Sequence, residues 1–265
     1  MYKSGTIDNH FGSMGPVRTG RTDMSRVYVD PRTDRVVRVD RDLHDSAGDL
    51  EQQARRLHPR YRNDAIDGIR LSEQVNDAYE TWKDSDEGRA FRRYLSKDPE
   101  LDRVIVEELD PGIAAQTTPT SLDSVFIHNK NYTRSHAQRI GRSVGGTEQD
   151  GWNLLLAHEL LHRYGQDIGV FAKGRVYTEL DNERGLTYFF RSMKEQALTE
   201  GDEEAARLYA GKEAFCLHRW GRLADAYLRQ LEEAGIPVTD SEKSEIDPDA
   251  AEIAAAIIAY LADSD

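Results

Sequence analysis

His158, Glu159 and His162 fall inside the run "LLLAHELLHRYG" at 154–165, where three ionisable side chains interrupt a string of leucines. Two histidines four apart on a helix lie on one face, about one turn from each other. Their imidazoles can then share one metal ion at the roughly 2 Å distance that zinc requires. Glu159 stands about 100° round the helix, too far for an obvious ligand but well placed to hydrogen-bond a water held by that metal. One helical turn thus supplies two ligands and one general base. The alternative is an accidental match on a core helix. Leu154, Leu155, Leu156, Leu160 and Leu161 surround the segment, which implies a buried central helix. Left unpartnered there, each polar group would cost about 1–3 kcal/mol or more. A metal ion removes that cost, as a histidine network also could, and the metal is the preferred reading.

Such a helix needs an N-terminus, and the sequence offers one. Thr147 stands three residues before Asp150 in the spacing of a capping box, so a helix is expected from near Thr147 to Tyr164, stopped by Gly165. Upstream, "VYVDPRTDRVVRV" (27–39) reads as a hairpin of two Val-rich runs. From 47 to 109 the pattern is helical. Ile66, Leu71, Val75, Ala78, Tyr79 and Trp82 share a face, Phe91, Tyr94 and Leu95 mark a second helix, and "PELDRVIVEEL" (99–109) a third. The segment 110–121 is a turn-rich connector and "LDSVFIHNK" (122–130) a short strand. A loop to about 176 leads into the helical "TELDNERGLTYFFRSMKEQAL". Two further helices are expected within 202–234, carrying Leu217, Trp220, Leu223, Tyr227 and Leu231. "DPDAAEIAAAIIAYL" reads as a closing helix with Asp247 as N-cap and Pro248 in its first turn. The expected fold is α+β, mostly α, with a small sheet. Four regions are expected: a flexible 1–25, a hairpin and helical region 26–110, a core 111–200 and a C-terminal helical region 201–265.

"HELLH" in a hydrophobic helix resembles the zincin superfamily of zinc metallopeptidases, over about residues 122–200. The resemblance implies a zincin-like catalytic core, with an edge strand before the active helix and a second helix after it. It also implies a catalytic zinc with three protein ligands. In the metzincin branch the motif continues His-x-x-Gly-x-x-His; Gly165 matches the glycine, but Ile168 stands at the ligand position and cannot bind zinc. Asp167, one position early, would point about 100° away. The gluzincin branch instead takes a glutamate from the following helix, with an acidic residue four later supporting a ligand histidine. "ELDNE" (179–183) offers Glu179 and Glu183, both on the face of Leu186, Phe190, Met193 and Ala197. An isolated pair of this kind would ordinarily be a charged first turn favoured by the helix dipole. The thermolysin-like form has Asn before the ligand glutamate; here Thr178 precedes Glu179 and Asn182 precedes Glu183, so either could be the ligand. The shorter Glu-x-x-x-acid spacing favours Glu179, leaving Glu183 to orient an imidazole.

The resemblance therefore implies a zinc-dependent endopeptidase acting on a protein or peptide substrate, with Glu159 as general base. Tyr177, just before the ligand helix, is a candidate oxyanion donor. His128 and His136 could line a substrate cleft, although such histidines are more often surface residues; His218 reads as structural. HELLH also occurs in type III effector proteases of enteric and plant pathogens, and the Ser/Thr/Gly-rich start would suit a secreted effector or toxin. Two other classes remain as alternatives: a non-proteolytic zincin-like binding module and a helical interaction scaffold.

Composition narrows the partners. A net charge of −13 argues against nucleic acid and against an anionic membrane surface. No stretch approaches the roughly 20 apolar residues that span a bilayer. The N-terminus lacks the apolar core of a secretory signal, so the expected location is cytoplasmic, or secreted without a cleavable signal peptide. Cys216 is the only cysteine, which excludes an intrachain disulfide and a cysteine-based metal cluster. It reads as an inert core residue.

Overall fold

The Val-rich runs near the N-terminus pair as a hairpin, β1 (Arg26–Val29) antiparallel to β2 (Val37–Asp42), with Val27 opposite Val39. The computed structural model describes residues 25–29, 37–43, 45–95, 101, 103–109, 113–117, 124–128, 132–165, 170 and 172–248. The expectations for the flexible start, the hairpin turn, Asp167, Ile168 and everything beyond Pro248 lie outside them. Within them the protein is α+β and mostly α.

The described part of 99–109 does not form the third helix that the spacing suggested. Arg103–Glu107 is a strand, β3, antiparallel to β2 and parallel to β5 (Ser124–His128). Val104, Ile105 and Val106 are buried in succession, because a central strand covered on both faces needs a continuous apolar run. A two-residue strand, β4 (Ala115–Gln116), pairs antiparallel with β5, giving the order β1-β2-β3-β5-β4. The strand expected at the sheet edge is therefore internal, and β4 forms the edge.

Helices α1 (Ala47–Arg55), α2 (Pro59–Lys83) and α3 (Asp86–Leu95) follow β2. Pro59 opens α2, where its missing N–H costs nothing. Of the expected stripe, Leu71, Val75, Ala78, Tyr79 and Trp82 are buried and Ile66 is half-buried. Gly68 lets α2 close on the sheet: a Cβ there would meet Val39 Cγ2 at 2.9 Å.

A short helix that the sequence reading passed over, α4 (Tyr132–Ser143), precedes the motif helix α5 (Glu148–Tyr164). The Thr147–Asp150 capping box is present on both sides, and Gly165 is the C-cap, as expected. α4 and α5 come closest at two glycines. A Cβ on Gly151 would stand 1.8 Å from the Ala137 carbonyl oxygen, and one on Gly141 would stand 1.9 Å from that of Thr147. Only glycine allows this approach.

α6 (Arg175–Glu200) and α7 (Glu203–Glu233) form a long helical hairpin. It turns at Gly201, whose φ of 77° is left-handed, and restarts at Asp202, which accepts a hydrogen bond from Ala205 N–H at 2.9 Å. Residues 202–234 were expected to hold two helices. They form one, because Gly211 and Gly221 are buried inside it, where tertiary packing overrides their low helix propensity. α8 (Asp240–Ile246) has Asp247 as its C-cap, and the closing helix expected to start there lies outside the described residues.

α5 is the hub. It packs against α2, α3, α4, α6 and β4. Val39, Phe91, Leu156, Phe190 and Cys216 belong to one buried apolar cluster, while Leu180, Leu217, Trp220, Ala224 and Ile246 form a smaller one under α8. Near the start of α5, the fully buried Lys212 ammonium of α7 lies 2.6 Å from Glu87 Oε2 and 3.1 Å from Asp150 Oδ1. Three helices are thus clamped by one buried cation.

Candidate metal centre

The leucines of α5 bury the motif from all sides but one. Leu154, Leu156, Leu160 and Leu161 are all nearly inaccessible, and His158, Glu159 and His162 are buried with them. On the remaining side lies a cavity of about 720 Å³ lined by all three polar residues, by Glu179 and Glu183 of α6, and by Arg219 of α7. Ile140 of α4 and residues 113–117 around β4 complete its walls.

Glu179 comes to the histidines because α6 crosses α5 at this point. The amide of Asn182 fixes the crossing by donating to the His158 carbonyl at 2.9 Å. Glu179 Oε2 lies 3.2 Å from His158 Nε2 and 3.5 Å from His162 Nε2, and the two Nε2 atoms are 3.1 Å apart. A tetrahedral ion with arms of about 2.0–2.2 Å separates its ligand atoms by about 3.3–3.6 Å. The triangle is therefore the right size for a metal ion, and His158, His162 and Glu179 form a triad able to hold one.

Glu183 has a different place. Its Oε1 lies 3.3 Å from His158 Nδ1, the ring nitrogen turned away from the triad, and 2.8 Å from Arg219 Nε. The sequence left both glutamates open as ligands but favoured Glu179; the structure has Glu179 in the triangle and Glu183 behind it. Arg219 was missed. The signal was its register: Phe215, Arg219 and Leu223 recur every four residues, and all three line the cavity.

Burial alone would depress the His158 imidazole, but contacts with Glu179 and Glu183 outweigh it and push the group up to about 10. Burial would raise Glu179, yet both imidazoles hold its carboxyl well below the usual range. Glu183 is lowered too, against its own burial, chiefly by Arg219. Glu159 moves the other way: burial pushes its carboxyl up, opposed by the two histidines. Carboxylates side by side thus have opposite tendencies, the separation that lets one hold charge while another exchanges a proton.

Tyr177 does not join the site. Two residues before Glu179 on the same helix, it faces the other way, its ring 4.9 Å from that of Tyr227 and under the Lys173 ammonium at 4.2 Å. His128 ends β5 in register with Glu107. His136, half-buried in α4, lines the cavity. Cys216 is fully buried and its thiol is pushed up by that burial, in keeping with an inert core residue. Among the described residues no helix is long and apolar enough to cross a membrane.

Comparison with protein-family models, curated proteins and solved structures finds no match to this chain.

Proposed function

We propose that the chain is a zinc-dependent endopeptidase of gluzincin type. The observation that carries this reading is the triangle of His158 Nε2, His162 Nε2 and Glu179 Oε2 at 3.1–3.5 Å, set beside a buried glutamate in a cavity. Two imidazoles and one carboxylate are the donor set of a catalytic zinc with its fourth position open. When bound, zinc supplies a Lewis acid that polarises a peptide carbonyl and acidifies water.

The chain's own residues supply the remainder. The Glu183 carboxylate, 3.3 Å from His158 Nδ1, favours the tautomer with its proton on that nitrogen, which leaves Nε2 facing the triad. Arg219 keeps Glu183 ionised for that task. Glu159, raised by burial, takes a proton from water as the oxygen adds to the carbonyl carbon. The C–N bond then breaks and Glu159 delivers that proton to the departing amine nitrogen. The carboxylate ends as it began, and one water is consumed for each bond cut.

Metal analysis of the purified protein, with digestion of a proteome-derived peptide library, tests the reading. The expected result is one zinc per chain and new termini that vanish in Glu159→Gln. Zinc without turnover would point to a metal-stabilised binding module, and no zinc would overturn the proposal.

A further inference from the structure

The proposed reaction needs a donor for the carbonyl oxygen as charge develops on it, and Tyr177 faces away. Arg175 and Arg219 line the cavity, but Arg219 is held by Glu183. The remaining polar side chain on the α4 wall is His136, one turn from Ile140, which lines the same cavity. α4 is set against the motif helix by the Gly151 contact, which involves Ala137, the very next residue.

The state of this imidazole follows from its neighbours. Arg139 Nη2 lies 3.3 Å from His136 Nδ1, one turn away on α4. A guanidinium can only donate, so Nδ1 must accept and the ring proton must sit on Nε2. The Tyr132 ring lies parallel to the imidazole, 6.2 Å away at 11°. Nε2 has no partner among the described residues. Among the described residues this Nε2–H donor has nothing to bind, and His136 lines the same cavity as the triad.

We propose that His136 is a catalytic residue of this cavity, a neutral imidazole in the Nε2–H form that donates a hydrogen bond to the carbonyl oxygen of the bound peptide. The assignment rests on the peptidase reading. Burial, Arg139, Arg219 and His158 lower the group to about 4, so the ring is neutral at pH 7 and presents one donor with no charge to repel the metal. A neutral donor at this place favours the oxygen when it becomes negative more than it favours the ground-state carbonyl, so kcat should suffer more than KM.

Kinetics on a single peptide taken from the wild-type library digest test the proposal, with zinc content measured alongside. His136→Ala should lower kcat by about 10²–10³-fold, with KM and zinc content little changed. His136→Gln, whose amide can donate from a similar distance, should recover part of the loss. Nitrogen NMR of the metal-free wild-type protein at pH 7 gives an independent readout: Nδ1 should be bare and Nε2 protonated. A His136→Ala variant that keeps kcat within about threefold overturns the proposal, as does a charged or Nδ1–H ring. Should the alanine variant fail to fold or lose zinc, His136→Gln and the tautomer decide. Wild-type protein without zinc-dependent turnover would overturn the peptidase reading itself, and the catalytic assignment with it; loss of His136 function in an active enzyme background cannot be confused with that outcome.

Discussion

Glu183 Oε1 stands 3.3 Å from His158 Nδ1, on the opposite side of the imidazole from Glu179. The two glutamates therefore act on the same ring from its two nitrogens. Glu179→Ala should leave a largely zinc-free protein, because it removes a proposed ligand. Glu183→Ala should keep zinc at about 10–100-fold lower affinity. Competition titration against a chelator reads both, and the reverse ranking would exchange their roles.

Glu159→Gln deletes the proposed base and preserves its volume. Fold and zinc content should be unchanged while kcat falls by about 10²–10⁴-fold, the usual range for a positioned general base. Retention of most of the turnover would remove Glu159 from the mechanism.

Zinc should displace a proton. In the metal-free protein His158 titrates at about 10, so below that pH the ring carries a proton that the metal must expel. Affinity should rise about tenfold per pH unit through neutrality from this group, and level off above its titration point. Calorimetry at pH 7.5 in two buffers of different ionisation enthalpy should give about one proton released. The sign reverses for stability without metal. A raised imidazole stabilises the metal-free fold most fully below the unfolded-state value of about 6.5, and that contribution is lost as pH rises toward 10.

Lys212 is 0% exposed between Glu87 and Asp150. Lys212→Met should destabilise by about 3–5 kcal/mol, because the buried Glu87 and the half-buried Asp150 lose their counter-ion. Lys212→Met combined with Glu87→Gln should recover part of that. Urea unfolding measures both, and a single variant within about 0.5 kcal/mol of wild type would show that the clamp contributes little.

The motif helix was legible because its signals are local. The Thr147–Asp150 box, the leucine shell and Gly165 all act within one helix length, and Glu179 and Glu183 betray themselves as acids on an apolar stripe. β3 was misread because Val104, Ile105 and Val106 form an unbroken apolar run, which carries neither the period of a helix nor that of a half-exposed strand. α4 offers only Ala137 and Ile140 as core contacts among its buried apolar side chains, too few for a pattern. β4, two residues long, is defined by its partner and by nothing of its own. Arg219 with Glu183, and Lys212 with Glu87 and Asp150, are pairings across the fold that no window of sequence contains.

The meeting of Gly141 and Gly151 with backbone carbonyls has a consequence for descent. Every larger residue is barred from both positions by a helix crossing, whatever becomes of the chemistry. A diverging lineage could exchange the histidines and abandon the proposed metal site, yet it would have to retain these two glycines to keep the architecture. The spacing Gly-x9-Gly-x6-His-Glu-x-x-His, read from 141 to 162, therefore joins a scaffold signature to a chemical one. Its first half is the part by which a relative that had lost all activity could still be traced.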